Sequence, residues 1–158
     1  MNKILRNTSI LFLISFSLLG CTDAGKTRLK RLEREGTIKH WIDASILFHY
    51  EKITGMDSSG PVYFTLDFSN NNEAFLAQFN TGKETNFKQG PDQTFETKVN
   101  EFVQNKIGLA YYSFEEQYQI NFEKSYSYYR SGESDSELSF GFIYYTETNI
   151  VNLFYYQM

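Results

Sequence analysis

Aromatic side chains crowd the last third of this chain and constrain its fold more than any other feature. Residues 109–158 hold 15 of the 28 aromatic residues in the 158-residue sequence. Aromatic and β-branched residues fit the pleated surface of a sheet. The runs predict four strands, over residues 109–114, 118–129, 138–145 and 150–156. Turn-like stretches at 131–136 and 146–149 predict the hairpins that join the last three strands.

A central helix is the clearest element outside this aromatic region. Asp92 follows Gly90-Pro91 and can cap a helix. Apolar residues then recur on one helical face up to Gly108, namely Phe95, Val99, Phe102, Val103 and Ile107. Such a face must pack on another element, and the aromatic strands supply one.

The chain before this helix holds one ambiguous segment and two strand-like segments. Apolar residues over 38–53 fit helical spacing and also strict alternation, and we favour a helix. Residues 62–68 predict a strand, and residues 74–79 predict its paired strand across an asparagine turn at 70–72. These elements predict an α+β domain with one or two helices on an antiparallel meander of roughly four to six strands.

The first 21 residues have the order of a secretory signal. Lys3 and Arg6 precede an apolar run over residues 10–19, and the run ends at Gly20-Cys21. A helix that crosses a membrane needs roughly 20 apolar residues, so this run is too short to span one. Export followed by removal of the signal is the prediction.

The end of this signal, Leu18-Leu19-Gly20-Cys21, resembles the lipobox of bacterial lipoproteins. The resemblance implies cleavage after Gly20 and attachment of fatty acids such as palmitate to Cys21. Several buried acyl chains anchor a protein stably, whereas a single chain binds reversibly. Thr22 follows the cysteine directly, at the position where an aspartate in Gram-negative lipoproteins favours retention in the inner membrane. The resemblance therefore implies a lipid anchor in the outer membrane, with the domain facing the periplasm or the exterior.

Charge divides the remainder of the chain into two parts. Between Lys26 and Arg34 there are five basic residues and one acid, in a segment that predicts a short helix stopped by Gly36. This segment either meets anionic lipid headgroups or is a solvated tether. Residues 37–158 carry 8 basic and 16 acidic residues, a balance that disfavours nucleic acid and suits a partner with a basic face. The predicted organisation is a signal peptide over 1–20, a lipidated cysteine and basic tether over 21–36, and one domain over 37–158.

A second motif overlaps the lipobox. Residues 20–27 fit GxxxxGK[ST], the pattern of a phosphate loop. A phosphate loop follows a strand inside an alternating βαβ sheet, whereas this stretch follows an export signal. We therefore predict no nucleotide.

Residues that could support catalysis or metal binding are few. His40 and His49 are nine residues apart, which is not the four-residue helical spacing of paired metal ligands. Residues 67–73 place oxygen side chains at alternate positions but lack the glycine of a calcium loop, so a turn is predicted. Glu115 and Glu116, being adjacent, would face opposite ways on a strand. With no nucleophile motif present, we predict no metal, no cofactor and no catalysis.

The tyrosine-rich run at 125–130 is the predicted binding surface. Tyrosine doublets on a strand place one ring on each face, so half of these rings are expected to fill the core and half to lie on the outer surface of the sheet. Tyr126, Tyr128, Tyr129 and Arg130 are the candidates for contact with a partner. The alternative is cross-strand pairing that only stabilises the sheet. The sequence thus predicts a lipoprotein whose noncatalytic domain binds a protein or an envelope polymer, as an inhibitor or immunity factor. A structural adaptor of an envelope assembly and a small carboxylate-dependent hydrolase are the alternatives.

The lipid anchor is directly testable. Cells fed radiolabelled palmitate are expected to label the wild-type chain and not Cys21→Ser, because the thiol is the attachment point that the lipobox implies. The measurement is the radioactivity of the immunoprecipitated protein. Equal labelling of the two chains would contradict the prediction.

Overall fold

The computed structural model describes residues 24–36, 38–53, 59–80, 87–131 and 138–157. The chain forms two compact units that divide between Ile42 and Asp43. The predicted signal peptide, Cys21 and the first half of the phosphate-loop motif, residues 20–23, lie outside the described residues. Among the helices that are described, none is both long and apolar enough to cross a membrane.

The first unit contains helix α1, over residues 24–35. The helix ends at Gly36, as predicted, and the Gly36 amide donates to the Leu32 carbonyl at 2.8 Å. The Lys39 ammonium donates to the carbonyl oxygens of Glu33 and Gly36. A cation at the C-terminal end of a helix satisfies free carbonyls and favours the helix dipole.

The second unit is built on one antiparallel sheet of six strands. The strands are β1 Ser45–Glu51, β2 Gly60–Asp67, β3 Phe87–Gln89, β4 Tyr126–Arg130, β5 Phe140–Tyr145 and β6 Ile150–Gln157. Their spatial order is β1-β2-β6-β5-β4-β3. Strands β3 to β6 form an antiparallel meander, in which β3 lies in no predicted strand, and the β1–β2 hairpin adds to it through β6. The α+β prediction is confirmed.

Helix α3, Gln93–Phe102, covers one face of this sheet. Its N-cap is Asp92, whose carboxylate accepts from the Phe95 amide at 3.0 Å as the sequence predicted. Phe95 stacks on Tyr128 with ring centroids 4.0 Å apart. The helix continues as a π-helical turn, Val103–Ile107, and then as a 3-10 helix, Gly108–Ser113.

Helix α2, Asn72–Asn80, covers the opposite face. Its Phe75 and Phe79 lie four residues apart on one side of the helix and both are buried. Phe79 stacks on Phe87 at 4.4 Å and also contacts Phe142 and Tyr129. Both faces of the sheet are therefore buried against aromatic side chains.

Two segments before α3 differ from the prediction. Residues 38–53 form a short 3-10 helix, Trp41–Asp43, and then strand β1, because their alternating residues pair with β2. Residues 74–79 lie in α2 and form no strand. Alanine, leucine, glutamate and glutamine favour the helix there, and the spacing of four between its phenylalanines buries both rings.

The predicted strands at 109–114 and 118–129 are also wrong in large part. The first is the 3-10 helix after Gly108, in which Tyr111 and Phe114 lie three residues apart and are buried together. The second begins at the last residue of the short 3-10 helix Glu116–Tyr118 and continues as an irregular loop, and only its end belongs to β4. The strands predicted at 138–145 and 150–156 and the 146–149 hairpin are confirmed.

A substitution at Gly141 of β5 tests how tightly the sheet is packed. A β-carbon at this position would lie 2.7 Å from the Phe154 ring and 3.1 Å from the Tyr129 carbonyl oxygen. Overpacking of this kind costs roughly 1–3 kcal/mol, so Gly141→Ala is expected to lower the free energy of unfolding in urea by that amount. Ser139→Ala, on an exposed position nearby, should change it by less than about 0.5 kcal/mol. Equal stability of the two variants would contradict the packing.

Candidate binding site

A groove of about 850 Å³ lies beside the loop that leads into β4. Thr65 of β2 and Asn152 of β6 line it from the sheet, and Leu47 lines it from β1. Residues 115–119 and the turn between β5 and β6 complete the lining. The groove thus joins the centre of the sheet to the segment over 114–125, which we call the β4 approach loop.

The sheet side of this groove is the one polar spot in an aromatic core. Thr65 and Asn152, each 1% exposed, are the only buried polar side chains in the described parts of the chain. They are direct partners across the β2–β6 ladder. A buried polar group costs free energy unless it is hydrogen-bonded, so a polar pair here needs a partner.

The backbone carbonyl of Tyr118 is that partner. It accepts three side-chain hydrogen bonds, from Tyr63 at 2.6 Å, Asn152 at 3.3 Å and Thr65 at 3.4 Å. Asn152 also donates to the hydroxyl of Tyr63. The side chains that line the groove therefore hold the β4 approach loop on the sheet.

Two buried tyrosines fix the next turn of this loop. The Tyr111 hydroxyl accepts from the Ile120 amide at 2.6 Å, and the Tyr145 hydroxyl accepts from the Asn121 amide at 2.8 Å. Burial raises the pKa of Tyr145 to about 12 and that of Tyr63 well above its usual value. The hydroxyls of Tyr145 and Tyr63 are thus neutral at physiological pH and act as fixed hydrogen-bonding groups.

The outer part of the groove is charged and partly apolar. Glu115 and Glu116 are exposed along it, and the Glu115 carboxylate accepts from the side-chain amide of Gln117 at 2.9 Å. The Lys124 ammonium lies 5.8 Å from the centroid of the Tyr145 ring, within range of a cation–π interaction. Leu47 is 45% exposed and adds an apolar surface. Two exposed carboxylates beside an apolar surface suit a ligand that carries a cationic group on an apolar stem.

The structure places the predicted tyrosine surface inside the protein. Tyr126, Tyr128 and Tyr129 are 4%, 2% and 7% exposed, and Arg130 is half-buried at the end of β4. The expected alternation is present, since Tyr128 packs on Phe95 and Tyr129 packs on the other face. Both faces are covered, however, so these rings stabilise the core and expose little area.

The hydroxyl groups of two of these tyrosines reach the start of α3. Tyr128 donates to the Asp92 carboxylate, and Tyr126 donates to the Glu96 carboxylate at 2.6 Å. The Tyr126 hydroxyl also accepts from the Asp92 amide at 3.2 Å. The Tyr128 hydrogen bond, followed by that of the Phe95 amide, lowers the pKa of Asp92. These carboxylates hold α3 on the sheet.

The other candidate residues take structural positions. His49 stacks on Phe64 at 4.4 Å and lies 3.7 Å from Glu51. His40 has a left-handed backbone, with φ of 68°. Asp67 accepts from the Ser69 amide at 2.8 Å, which confirms a turn there. Within the described ranges, no group of three histidine, cysteine or acidic residues could hold a metal ion.

Sequence reasoning missed the groove, although one signal was present. Asn152 is the single amide inside the apolar run 150–156, and by alternation it shares a face with Phe154. A polar residue at an inward position marks either a satisfied network or a site. The acceptor of the Asn152 amide is the backbone carbonyl of Tyr118, 34 residues earlier in the chain. A backbone carbonyl is present at every residue, so no sequence pattern could have revealed it.

The acid sensitivity of the α3 cap can be measured. A carboxyl whose pKa is lowered by folding stabilises the protein above the ordinary aspartate value of about 4, and this contribution is lost as pH falls through the lowered pKa. We expect Asp92→Asn to be less stable than wild type at neutral pH and to lose less stability on acidification. Urea titrations between pH 7 and pH 2 give the two slopes, and parallel slopes would disprove the linkage.

Comparison with known proteins leaves the fold and the groove as the guides to function. The sequence matches no protein-family model, no curated protein and no solved structure at a significant level.

Proposed function

We propose that this chain is a lipid-anchored envelope protein whose domain binds a basic partner protein in the groove and does not catalyse a reaction. The anchor is the one that the lipobox resemblance implies at Cys21, and outer-membrane sorting belongs to the same proposal. The groove carries the binding part, because its open side combines the exposed carboxylates of Glu115 and Glu116 with the exposed apolar side chain of Leu47.

The shape of the groove favours a protruding segment of a partner. A volume of about 850 Å³ is within the range of pockets that receive whole side chains or short segments. Its sheet side is rigid, since Thr65 and Asn152 are held by the ladder and by the Tyr118 carbonyl. Preformed sites lose less conformational entropy on binding than flexible ones.

The charge of the domain selects the partner. Residues 37–158 have a net charge of −8, and Glu115 and Glu116 stand at the groove itself. Complementary charge steers a basic partner to the site and discourages acidic ones. An arginine or lysine side chain can reach the carboxylates while its apolar stem lies over Leu47. A basic secreted enzyme that this domain would inhibit is a target of that kind.

Photo-crosslinking in cells tests the site. A benzoylphenylalanine at Leu47, in the groove, is expected to yield one adduct with a basic protein. The matched probe at Ala74, on the exposed side of α2, should yield no such adduct. A glycan adduct at Leu47, or equal adducts at both positions, would contradict a protein site in the groove.

Charge reversal then distinguishes the effect of a groove carboxylate on binding from the effect of the net charge of the domain. Glu116→Lys is expected to reduce the Leu47 adduct at least about tenfold, because a like charge at an interface costs several kcal/mol. Glu73→Lys makes the same change in net charge at an exposed position on α2 and should leave the adduct nearly unchanged. Equal losses in the two variants would show that the groove does not select the partner.

A further inference from the structure

We propose that the cationic face of helix α1 binds the anionic phosphate headgroups of a membrane surface. Lys26, Lys30 and Arg34 are spaced by four residues and are all exposed. At 100° per residue they form a row about 12 Å long on one side of the helix. The two buried residues of the helix, Gly25 and Leu29, lie on another side.

The charge of α1 differs in sign from that of the rest of the chain. Residues 24–36 hold five cations and two carboxylates, a net charge of +3, whereas residues 37–158 carry −8. Part of the positive charge is compensated locally, since Glu35 pairs with Arg31 at 3.0 Å and with Arg34 at 3.2 Å. Arg34 belongs to the row, so one of its three charges is partly compensated, and Lys26 and Lys30 keep the row cationic. A basic face of this kind attracts anionic lipid.

The position of α1 in the chain places this face at the membrane if Cys21 carries lipid, and this step rests on the proposed function. Lys26 follows Cys21 by five residues. Even a fully extended chain of that length reaches only about 18 Å. Attraction to a charged surface acts within a Debye length of roughly 8 Å at physiological salt. A tether this short keeps Lys26 near the membrane and lets it come within that distance.

Vesicle binding tests the helix face without requiring lipidation. The probe is the full 158-residue chain carrying Cys21→Ser, with its affinity measured for vesicles of 30% phosphatidylglycerol in phosphatidylcholine and of phosphatidylcholine alone. The ratio of the two affinities removes the apolar contribution of the leader, which is the same in every variant. We expect a clear preference for the anionic vesicles that weakens with added salt.

The variants assign that preference to α1. Replacing Lys26, Lys30 and Arg34 with glutamine should lower the affinity ratio about 100-fold, since each cation near an anionic surface contributes roughly a factor of five. Glutamine keeps the helix propensity. The matched control replaces Lys52, Lys88 and Lys98, which lie in the second unit, with glutamine and should retain most of the ratio.

Two results would overturn the inference. An unchanged ratio in the α1 variant would show that the segment is only a solvated tether. Equal losses in the α1 variant and in the control would show that net charge, and not this face, governs binding. Neither result bears on the groove, which the crosslinking experiment tests separately, and palmitate labelling tests the anchor on its own.

Discussion

Burial of the sheet on both faces is the constraint on which the rest of this structure depends. A strand exposed to water on one side alternates polar and apolar residues, but β2, β5 and β6 are buried along nearly their whole length. Helices must therefore cover both faces. Tyrosine serves well in such a sheet, because its ring fills the core while its hydroxyl reaches loop amides and carboxylates at the margins.

The same constraint explains what the sequence could and could not predict. Local signals were sufficient for the Asp92 cap, the apolar face of α3 and the last two strands, since each depends on neighbours in the sequence. The buried tyrosines of β4 were misjudged because doublets look alike whether one face or both are covered. Helix α2 was missed because the asparagine turn at 70–72 predicted a hairpin, although Phe75 and Phe79 lie four residues apart, as on one face of a helix. Only the tertiary structure shows that a second covering layer is needed.

The groove follows from one exception inside this apolar sheet. Thr65 and Asn152 would destabilise the core without an acceptor, and the Tyr118 carbonyl supplies one. The polar pair thereby determines where the β4 approach loop is attached and where space remains beside it. The pair holds the structure together, so substitutions at the exposed residues of the groove are better probes of the proposed binding than substitutions of the pair.

The order of the strands along the chain governs when the domain can fold. Strand β6 lies between β2 and β5, and its pairing joins Gly60 to Gln157 and Asp67 to Ile150. The middle of the sheet is thus empty until residues 150–157 have been synthesised, and contacts between such distant residues form slowly. Until β6 is in place, the β1–β2 hairpin and the β3–β5 part of the meander have no strand through which they can join into one sheet.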